Sequence, residues 1–548
     1  MNKVRRSTLI LLTLISSLLF PLSLPNEVFH YGNAALGFVS LAPAFAAVVL
    51  APSYGFASIL GMVFGGLSTV LTSYWLSFFQ GYSVWTMGGT ALAYMGFNAM
   101  LFPYLRAFGR SRTGLRPLLM AMAWTAYEFF KSVGFTAYPW GLSAYPVAGI
   151  LPLIQVADVT GVYGVCFLLA FANALVAEWM LVSPGRASGP AIVSAGGGLP
   201  RFPEAPARRL AGLAAFWAFC LAAILGYGAW RLATPIPKVL SARFLLVQQN
   251  MDPWDPGGTG KVLRTSQELT LQGLAEAGGP VDLVVWSESS LNSPIVVNDR
   301  EWYPEKNALV PYARKTGVYH LVGGAVILNW PEVLRTRKQE TAKEMNSAIF
   351  FAPDGSVLDT YGKIHPVPFA EAVPFYDNPA VYRFFAEVLD LRYMWTLGSR
   401  RTVFRLPLDG GGELAFATPI CFEDAFAGLC SDMIKDGADI LVNLTNDSWS
   451  NQASSEIQHF VVARWRAVEN RRTLVRSTNG GMSVVVDPWG RILDTMPLFE
   501  KTSKTVEVPV YRENGFTFYA RYGDWLPVAF LALLFLAILR DLLPGKRG

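Results

Sequence analysis

The sequence predicts a multi-pass α-helical membrane domain of about eight transmembrane helices joined to an α/β domain outside the membrane. Three observations predict it. Charged residues make up only 16% of 548, where a soluble domain carries about 25%. They are unevenly spread, residues 1–231 holding 13 Lys/Arg and 5 Asp/Glu and the rest 32 and 35. Eight apolar stretches approach the roughly 20 residues that a bilayer core needs, whereas the intervening 232–522 alternates short β-branched runs with helical patterns. The net charge of +5 divides into +8 for the first part and −3 for the rest, so no nucleic-acid surface is expected.

The apolar stretches lie near 7–24, 34–51, 55–79, 84–105, 115–135, 160–181, 210–231 and 523–543. The first follows Lys3, Arg5 and Arg6, but Pro-Leu-Ser-Leu-Pro lacks a small-x-small cleavage site, so a retained helix is expected. Positive residues mark cytoplasmic loops. They fall in the N-terminal tail, between the fourth and fifth stretches (Arg106, Arg110, Arg112, Arg116), between the sixth and seventh (Arg186, Arg201, Arg208, Arg209), and at Arg540, Lys546 and Arg547. Connections 25–33, 80–83 and 136–159 have none. Both termini are therefore expected inside and 232–522 outside. The expected domains are 1–231 with seven helices, 232–522 as the α/β part, and 523–548 as a closing helix and tail. Glu128 and Lys131 sit within the fifth stretch, where an ionisable residue is either functional or a snorkelling helix-end pair. The Pro/Gly-rich 183–206 reads as a low-complexity loop.

In the α/β part, strands are expected at 244–248, 283–286, 319–326, 348–352, 414–417, 440–444 and 482–486, with hairpin tips at Pro353-Asp354-Gly355 and Asp487-Pro488-Trp489-Gly490. No G-x-G-x-x-G or Walker pattern occurs, so no nucleotide cofactor is expected. The four Cys include no C-x-x-C pair and suggest neither a zinc site nor a disulfide framework, so no metal is expected. Cys166 and Cys220 lie in apolar stretches, which leaves Cys421 and Cys430 for chemistry.

Three segments deliver a polar residue at the end of an apolar strand. Val281-Asp-Leu-Val-Val-Trp-Ser-Glu288 places a carboxylate in low dielectric, the setting of a general base; the alternative is a helix N-terminal carboxylate. Tyr361-Gly-Lys-Ile-His-Pro-Val-Pro-Phe-Ala-Glu371 sets Lys363 and Glu371 eight residues apart in a Pro-braced loop, against the alternative of a surface lysine. Glu413-Leu-Ala-Phe-Ala-Thr-Pro-Ile-Cys421-Phe-Glu-Asp runs from a strand to a Cys at a bend, with acids opening a helix whose field would activate the thiol. An inert core Cys is the alternative.

Taken together these segments resemble the Glu-Lys-Cys triad of the nitrilase superfamily. With the membrane part included, the chain resembles its membrane-embedded branch, the apolipoprotein N-acyltransferase family. Ala123-Trp124, Glu128, Pro139-Trp140 and Gly161-Val-Tyr163-Gly164 match that family's helical part, and Trp286-x-Glu288, Lys363 with Val367-Pro-Phe and Glu371, Cys421-x-Glu423, Asn446-Asp-Ser-Trp449 and Ser477-Thr-Asn-Gly480 follow in its order. Ser287, Ala370, Phe422 and Ser450 depart from residues usual in the family, which bears on pocket shape and lid behaviour.

The resemblance implies a nitrilase-like αββα sandwich outside a bacterial inner membrane, and ping-pong transfer of an acyl chain without a cofactor. Glu288 would serve as base, Cys421 as nucleophile carrying a thioester and Lys363 as oxyanion donor. A membrane phospholipid would be the acyl donor, and the α-amine of a diacylglyceryl-cysteine at an apolipoprotein N-terminus the acceptor. Glu371 would orient Lys363, and Phe422 and Glu423 would shape the nucleophile's surroundings. Residues 374–400 hold Phe375, Tyr382, Phe384, Phe385, Leu389, Leu391, Tyr393, Met394, Trp395 and Leu397, which suggests a lipid-facing lid rather than a core helix. Trp254, Trp395 and Trp449 are candidates for lining the acyl path. The competing readings are a Cys-His hydrolase using His365 or His459, a membrane-anchored amidase, and a non-catalytic lipid-binding or transport protein. Cys430 is expected to stay reduced and buried, and the protein to be monomeric.

Overall fold

The structure is a computed structural model that describes residues 4–80, 83–111, 114–182, 207–255, 259–296, 309–337, 342–373, 375, 378–388 and 394–542. The low-complexity loop 183–206, with Arg186 and Arg201, lies outside these residues, as do Lys3, Arg112, Lys546 and Arg547.

Each expected apolar stretch is helical. The helices are α1 (Arg6–Ser23), α2 (Ala42–Leu50), α3 (Tyr54–Thr72), α4 (Ser83–Gly109), α5 (Arg116–Phe130), α6 (Tyr163–Val182) and α7 (Ala207–Ala233). Among the described residues, α1, α3, α6 and α7 are long and apolar enough to cross a membrane. The others fall short for visible reasons. A short turn, Ala34–Gly37, precedes nine-residue α2, α5 has 15 residues, and the 27 residues of α4 include Asn98 and Pro103. In α7 nearly the whole apolar surface faces outward, as expected for a helix solvated by lipid.

Two sheets follow. The first runs β13 (Thr502–Tyr511), β1 (Lys238–Gln248), β2 (Leu283–Trp286), β4 (Tyr319–Ile327), β5 (Glu344–Phe351), β6 (Val357–Gly362), with β3 (Leu291–Val296) beside β4. The second runs β7 (Val403–Pro407), β8 (Glu413–Ala417), β9 (Ile440–Thr445), β10 (Thr473–Thr478), β11 (Val484–Val486), β12 (Ile492–Thr495). Parallel pairing joins β1, β2, β4 and β3 in the first sheet and β8, β9 and β10 in the second, with antiparallel strands beside them. The strands read from sequence are present and both expected tips close hairpins, whereas β3, β6, β7, β10, β12 and β13 were not anticipated.

Alternation divides the first sheet cleanly. Phe244, Leu246, Leu283, Val285 and Phe350 face the second sheet and join Phe404, Phe416, Leu441 and Leu474 in one core. Leu245, Val247, Val284, Trp286 and Ile349 form a separate cluster beneath α8 (Thr259–Glu276) and α9 (Leu309–Thr316). Helices α10 (Ala427–Lys435) and α11 (Ala453–Asn470) pack beside the second sheet, and α12 (Trp525–Leu542) returns to the helical part against α5.

Helix α11 is buried along nearly its whole length because it lies between the second sheet and the connections of the helical part. Gln458 receives a hydrogen bond from Trp75 (3.1 Å) and donates to the carbonyls of Pro25 and Thr72. At its far end Arg471 donates to Asp158 (2.8 Å) and Gln155 (2.6 Å), and Arg231 also pairs with Asp158. Helix α11 is thus tied to the helical part both within its length and at its far end.

Candidate active site

The expected site residues converge at the carboxyl ends of the parallel strands, where open α/β sheets form crevices. Glu288 follows β2, Cys421 follows β8 and Asn446–Trp449 follows β9. Lys363 comes immediately after β6 on the first sheet. Glu288 does not open a helix: the next element is β3, which removes the helix-terminus alternative. Its Oε1 accepts from Asn346 Nδ2 (2.8 Å) and lies 3.5 Å from Lys363 Nζ, and its Oε2 accepts from the Asn446 N–H (3.0 Å). Gly323 of β4 is required here, because a Cβ would come within 2.5 Å of Glu288 Cα.

Lys363 is 3% exposed, which excludes the surface-lysine reading. Its Nζ donates to Glu371 Oε1 (2.7 Å), while Glu371 Oε2 accepts from the Val367 N–H (2.7 Å). Burial opposes the ammonium, but Glu371, Glu288 and Cys421 outweigh it and hold Lys363 protonated far above the usual lysine range. An ammonium has three donors, so this lysine keeps donor capacity for an oxyanion.

Cys421 is half-buried at φ +50, a left-handed backbone that a side chain adopts only when its surroundings enforce it. Asn443 Nδ2 enforces it by donating to the carbonyls of Pro419 (3.0 Å) and Cys421 (3.2 Å). Residues Cys421–Ala425 make one turn of 3-10 helix. This corrects the expectation of an activating helix field: burial first and Glu288 second push the thiol well above its ordinary range, with Lys363 opposing. The Cys421 thiol is therefore neutral at rest.

Glu423 ties the lysine and cysteine loops together. Its carboxylate accepts from the N–H groups of Ile364 (2.6 Å), His365 (2.9 Å) and Ile420 (2.7 Å), and from the Tyr361 hydroxyl (2.9 Å). Burial raises it to about 7 against the pull of those donors. Phe422 stacks on Trp140 of the helical part, with centroids 5.4 Å apart and planes at 13°, and meets Phe426 edge-on.

Neither histidine is placed to serve Cys421. His459 is engaged on both ring nitrogens, Nδ1 with Asp447 (2.6 Å) and Nε2 with Asp424 (2.9 Å), and Arg476 bridges the same two carboxylates. His365 packs against Phe426 at 4.2 Å, and burial lowers its basicity. Cys430 is fully buried and free, with its Sγ on the Glu423 carbonyl.

Trp254 and Trp449 meet edge-on at 5.1 Å, Trp254 Nε1 donating to the Trp449 carbonyl (3.0 Å). The Trp395 N–H reaches the Glu371 carbonyl (3.0 Å), which ties the expected lid to the carboxylate that holds Lys363. In that segment Phe375 is 83% exposed, and Phe384, Tyr382 and Leu397 are also exposed, unlike a core helix. Pro374, Leu389, Leu391 and Tyr393 lie outside the described residues. Sequence reasoning missed Asn346, Asn443 and the His459 network. The available signal was a polar side chain inside an apolar strand, as in Met345-Asn346-Ser347 and Val442-Asn443-Leu444.

Two family models match the chain: the apolipoprotein N-acyltransferase N-terminal domain over residues 16–175 and carbon-nitrogen hydrolase over 246–513. Apolipoprotein N-acyltransferase 2 of Treponema denticola is 39% identical over 526 residues, 95% of each chain. Its namesake in Treponema pallidum is 36% identical over 546 residues, 95% of this chain and 93% of that one. Among solved structures, a Saccharomyces cerevisiae member of branch 10 of the nitrilase superfamily covers 57% of this chain and 100% of its own at 17% identity, with a TM-score of 0.35.

Proposed function

The chain belongs to the apolipoprotein N-acyltransferase family, and from that premise we propose that Cys421 carries an acyl chain from a membrane phospholipid to the N-terminal amine of a diacylglyceryl apolipoprotein. The observation that carries the reading is the convergence of Glu288, Lys363 and Cys421. The lysine lies 3.5 Å from the carboxylate, and burial, with that same carboxylate second, pushes the thiol up.

In the first half-reaction Glu288 takes the Sγ proton and the sulfur attacks the ester carbonyl carbon. The oxyanion forms at Lys363 Nζ, a preorganised cation in a dry site. The acyl C–O bond breaks, and Glu288 returns its proton to the departing alcohol, which leaves a lysophospholipid and a Cys421 thioester. In the second half-reaction the α-amine attacks the thioester carbonyl and gives a proton to Glu288. The C–S bond breaks, the amide leaves, and the sulfur recovers the proton. Glu371 and Asn346 orient the lysine and the base. The exposed aromatic segment around Phe375 serves as the lid, and Trp254, Trp395 and Trp449 line the acyl path.

We place the catalytic part, 232–522, on the outer face of the inner membrane between seven helices (1–231) and a closing helix with its tail (523–548), both termini inside. The support is the Lys/Arg asymmetry of the loops. The experiment that tests the function is intact-mass spectrometry of the purified protein after incubation with phospholipid alone. A hydroxylamine-labile acyl adduct is expected on the wild type, absent from Cys421→Ala and Glu288→Gln, and discharged as an amide by a diacylated lipopeptide. Discharge only to free fatty acid would refute transfer in favour of hydrolysis.

A further inference from the structure

The two membrane-depth charges, Glu128 and Lys131, have no place in the chemistry above, yet both are committed to one short segment. Lys131 Nζ donates to the carbonyls of Trp140 (2.7 Å) and Gly141 (3.3 Å). Glu128 accepts the N–H of Ser143 on Oε1 (2.7 Å) and its hydroxyl on Oε2 (2.8 Å). The cation therefore holds carbonyls and the anion holds donors, each matching the groups that segment 140–143 leaves unpaired as the chain turns through Gly141 at φ +63. An apolar residue at either position would leave a buried backbone polar group without its partner.

The clamp holds Trp140, which stacks on Phe422, the residue directly after the nucleophile. Among the described residues the Trp140 Nε1–H has no hydrogen-bond partner, and its ring is held by stacking and by the backbone beneath it. Cys421 in turn adopts a left-handed backbone that depends on outside restraint. A restraint on the Phe422 ring is a restraint on the adjoining Cys421 peptide.

We propose that Glu128 and Lys131 are positioning residues for acyl transfer: they clamp segment 140–143 so that Trp140, stacked on Phe422, holds Cys421 in its attacking conformation. This rests on Cys421 being the acylated nucleophile. The membrane part thereby takes a direct share in setting the reactive geometry.

The test is a double-mutant cycle between Lys131→Met and Trp140→Leu, read as the rate of Cys421 thioester formation by intact-mass spectrometry in detergent. Each single variant is expected to slow acylation at least about 10-fold with little change in the KM for phospholipid. The double variant is expected to be no slower than the slower single, because both act through one stack. Lys131→Arg, which keeps a donor at the carbonyls, is expected to recover most of the rate, and Trp140→Phe, which keeps the stack, to stay close to wild type. Multiplicative losses in the double variant, or wild-type acylation in Lys131→Met, would overturn the proposal. If Lys131→Met does not fold, Ser143→Ala, which removes one hydroxyl from the Glu128 clamp, is measured in the same cycle and read by the same criteria. A wild type that forms no thioester would refute the nucleophile assignment itself, a result distinct from failure of the clamp.

Discussion

Replacing His459 with Gln should uncouple the loop after β9 from the Cys421 turn, and the size of the effect follows from the network. Burial alone would lower the imidazole, but Asp424 and Asp447 raise it from 6.5 to about 9, with Arg476 opposing. A shift of about 2.5 units is worth about 3 kcal/mol at 1.36 kcal/mol per unit. The folded-state value is raised, so that stabilisation is complete below pH 6.5 and is lost as pH rises through 9. The variant lacks this contribution throughout. Thermal melts in detergent should therefore show a gap of roughly 3–5 °C between wild type and His459→Gln at pH 6, closing as pH approaches 9.5. Taking the difference removes Glu423 and Glu469, which are both raised to about 7 and titrate identically in the two proteins. The loss should reach the chemistry, since Asn446, adjacent to Asp447, gives its N–H to Glu288. A gap that is the same at pH 6 and pH 9.5 would refute the charged, doubly paired histidine.

Glu423→Gln should turn an amide NH2 toward one of three backbone donors; one buried donor left unpaired costs about 1–3 kcal/mol, and thermal melting together with the rate of thioester appearance will show whether both fall. Glu371→Gln removes the 2.7 Å carboxylate from Lys363 and frees that ammonium to close on Glu288. Acylation should slow about 10–100-fold with the melting temperature nearly unchanged, and an unaltered rate would exclude an orienting role. Gly323→Ala drives a methyl to within 2.6 Å of the Ser287 carbonyl. This backbone cannot yield cheaply, so a loss of about 1–3 kcal/mol and of the acyl adduct is expected, read by melting and intact mass.

The parts of this protein legible in its sequence are those in which one local pattern decides the outcome. Leu283–Trp286 is wholly apolar because it is buried on both faces of a parallel strand, and Glu288 is conspicuous at its end for the same reason. Strand β13 escaped notice because its companions are 254 residues and more away in sequence: Val506 and Val508 look ordinary until they pair with Phe244 and Ala242 of β1. The thiol's state was misjudged because Cys421-Phe-Glu-Asp reads as a helix start, whereas the turn is short and the dominant influences, burial and Glu288, come from tertiary structure. His459 looked structural in its helical run. Its ionisation depends on Asp424 and Asp447, 35 and 12 residues away, which only the fold brings to opposite edges of one ring.

In the proposed mechanism, a high-lying Cys421 thiol has a physical rationale in the charge balance of the pocket. Lys363 faces two carboxylates, Glu371 and Glu288, so the buried trio already carries one net negative charge when both acids are ionised. A permanent thiolate would add a second where solvent is largely excluded, at a cost of several kcal/mol. The proton is better kept inside, moving from sulfur to Glu288 as the nucleophile attacks and on to the leaving alcohol as the ester breaks. The site then holds the same total charge throughout each half-reaction, the negative charge that Glu288 gives up on taking the proton reappearing on the tetrahedral oxyanion beside Lys363. The attraction between Lys363 and the oxyanion exists only in the tetrahedral species, where it accelerates the reaction rather than tightening the resting complex.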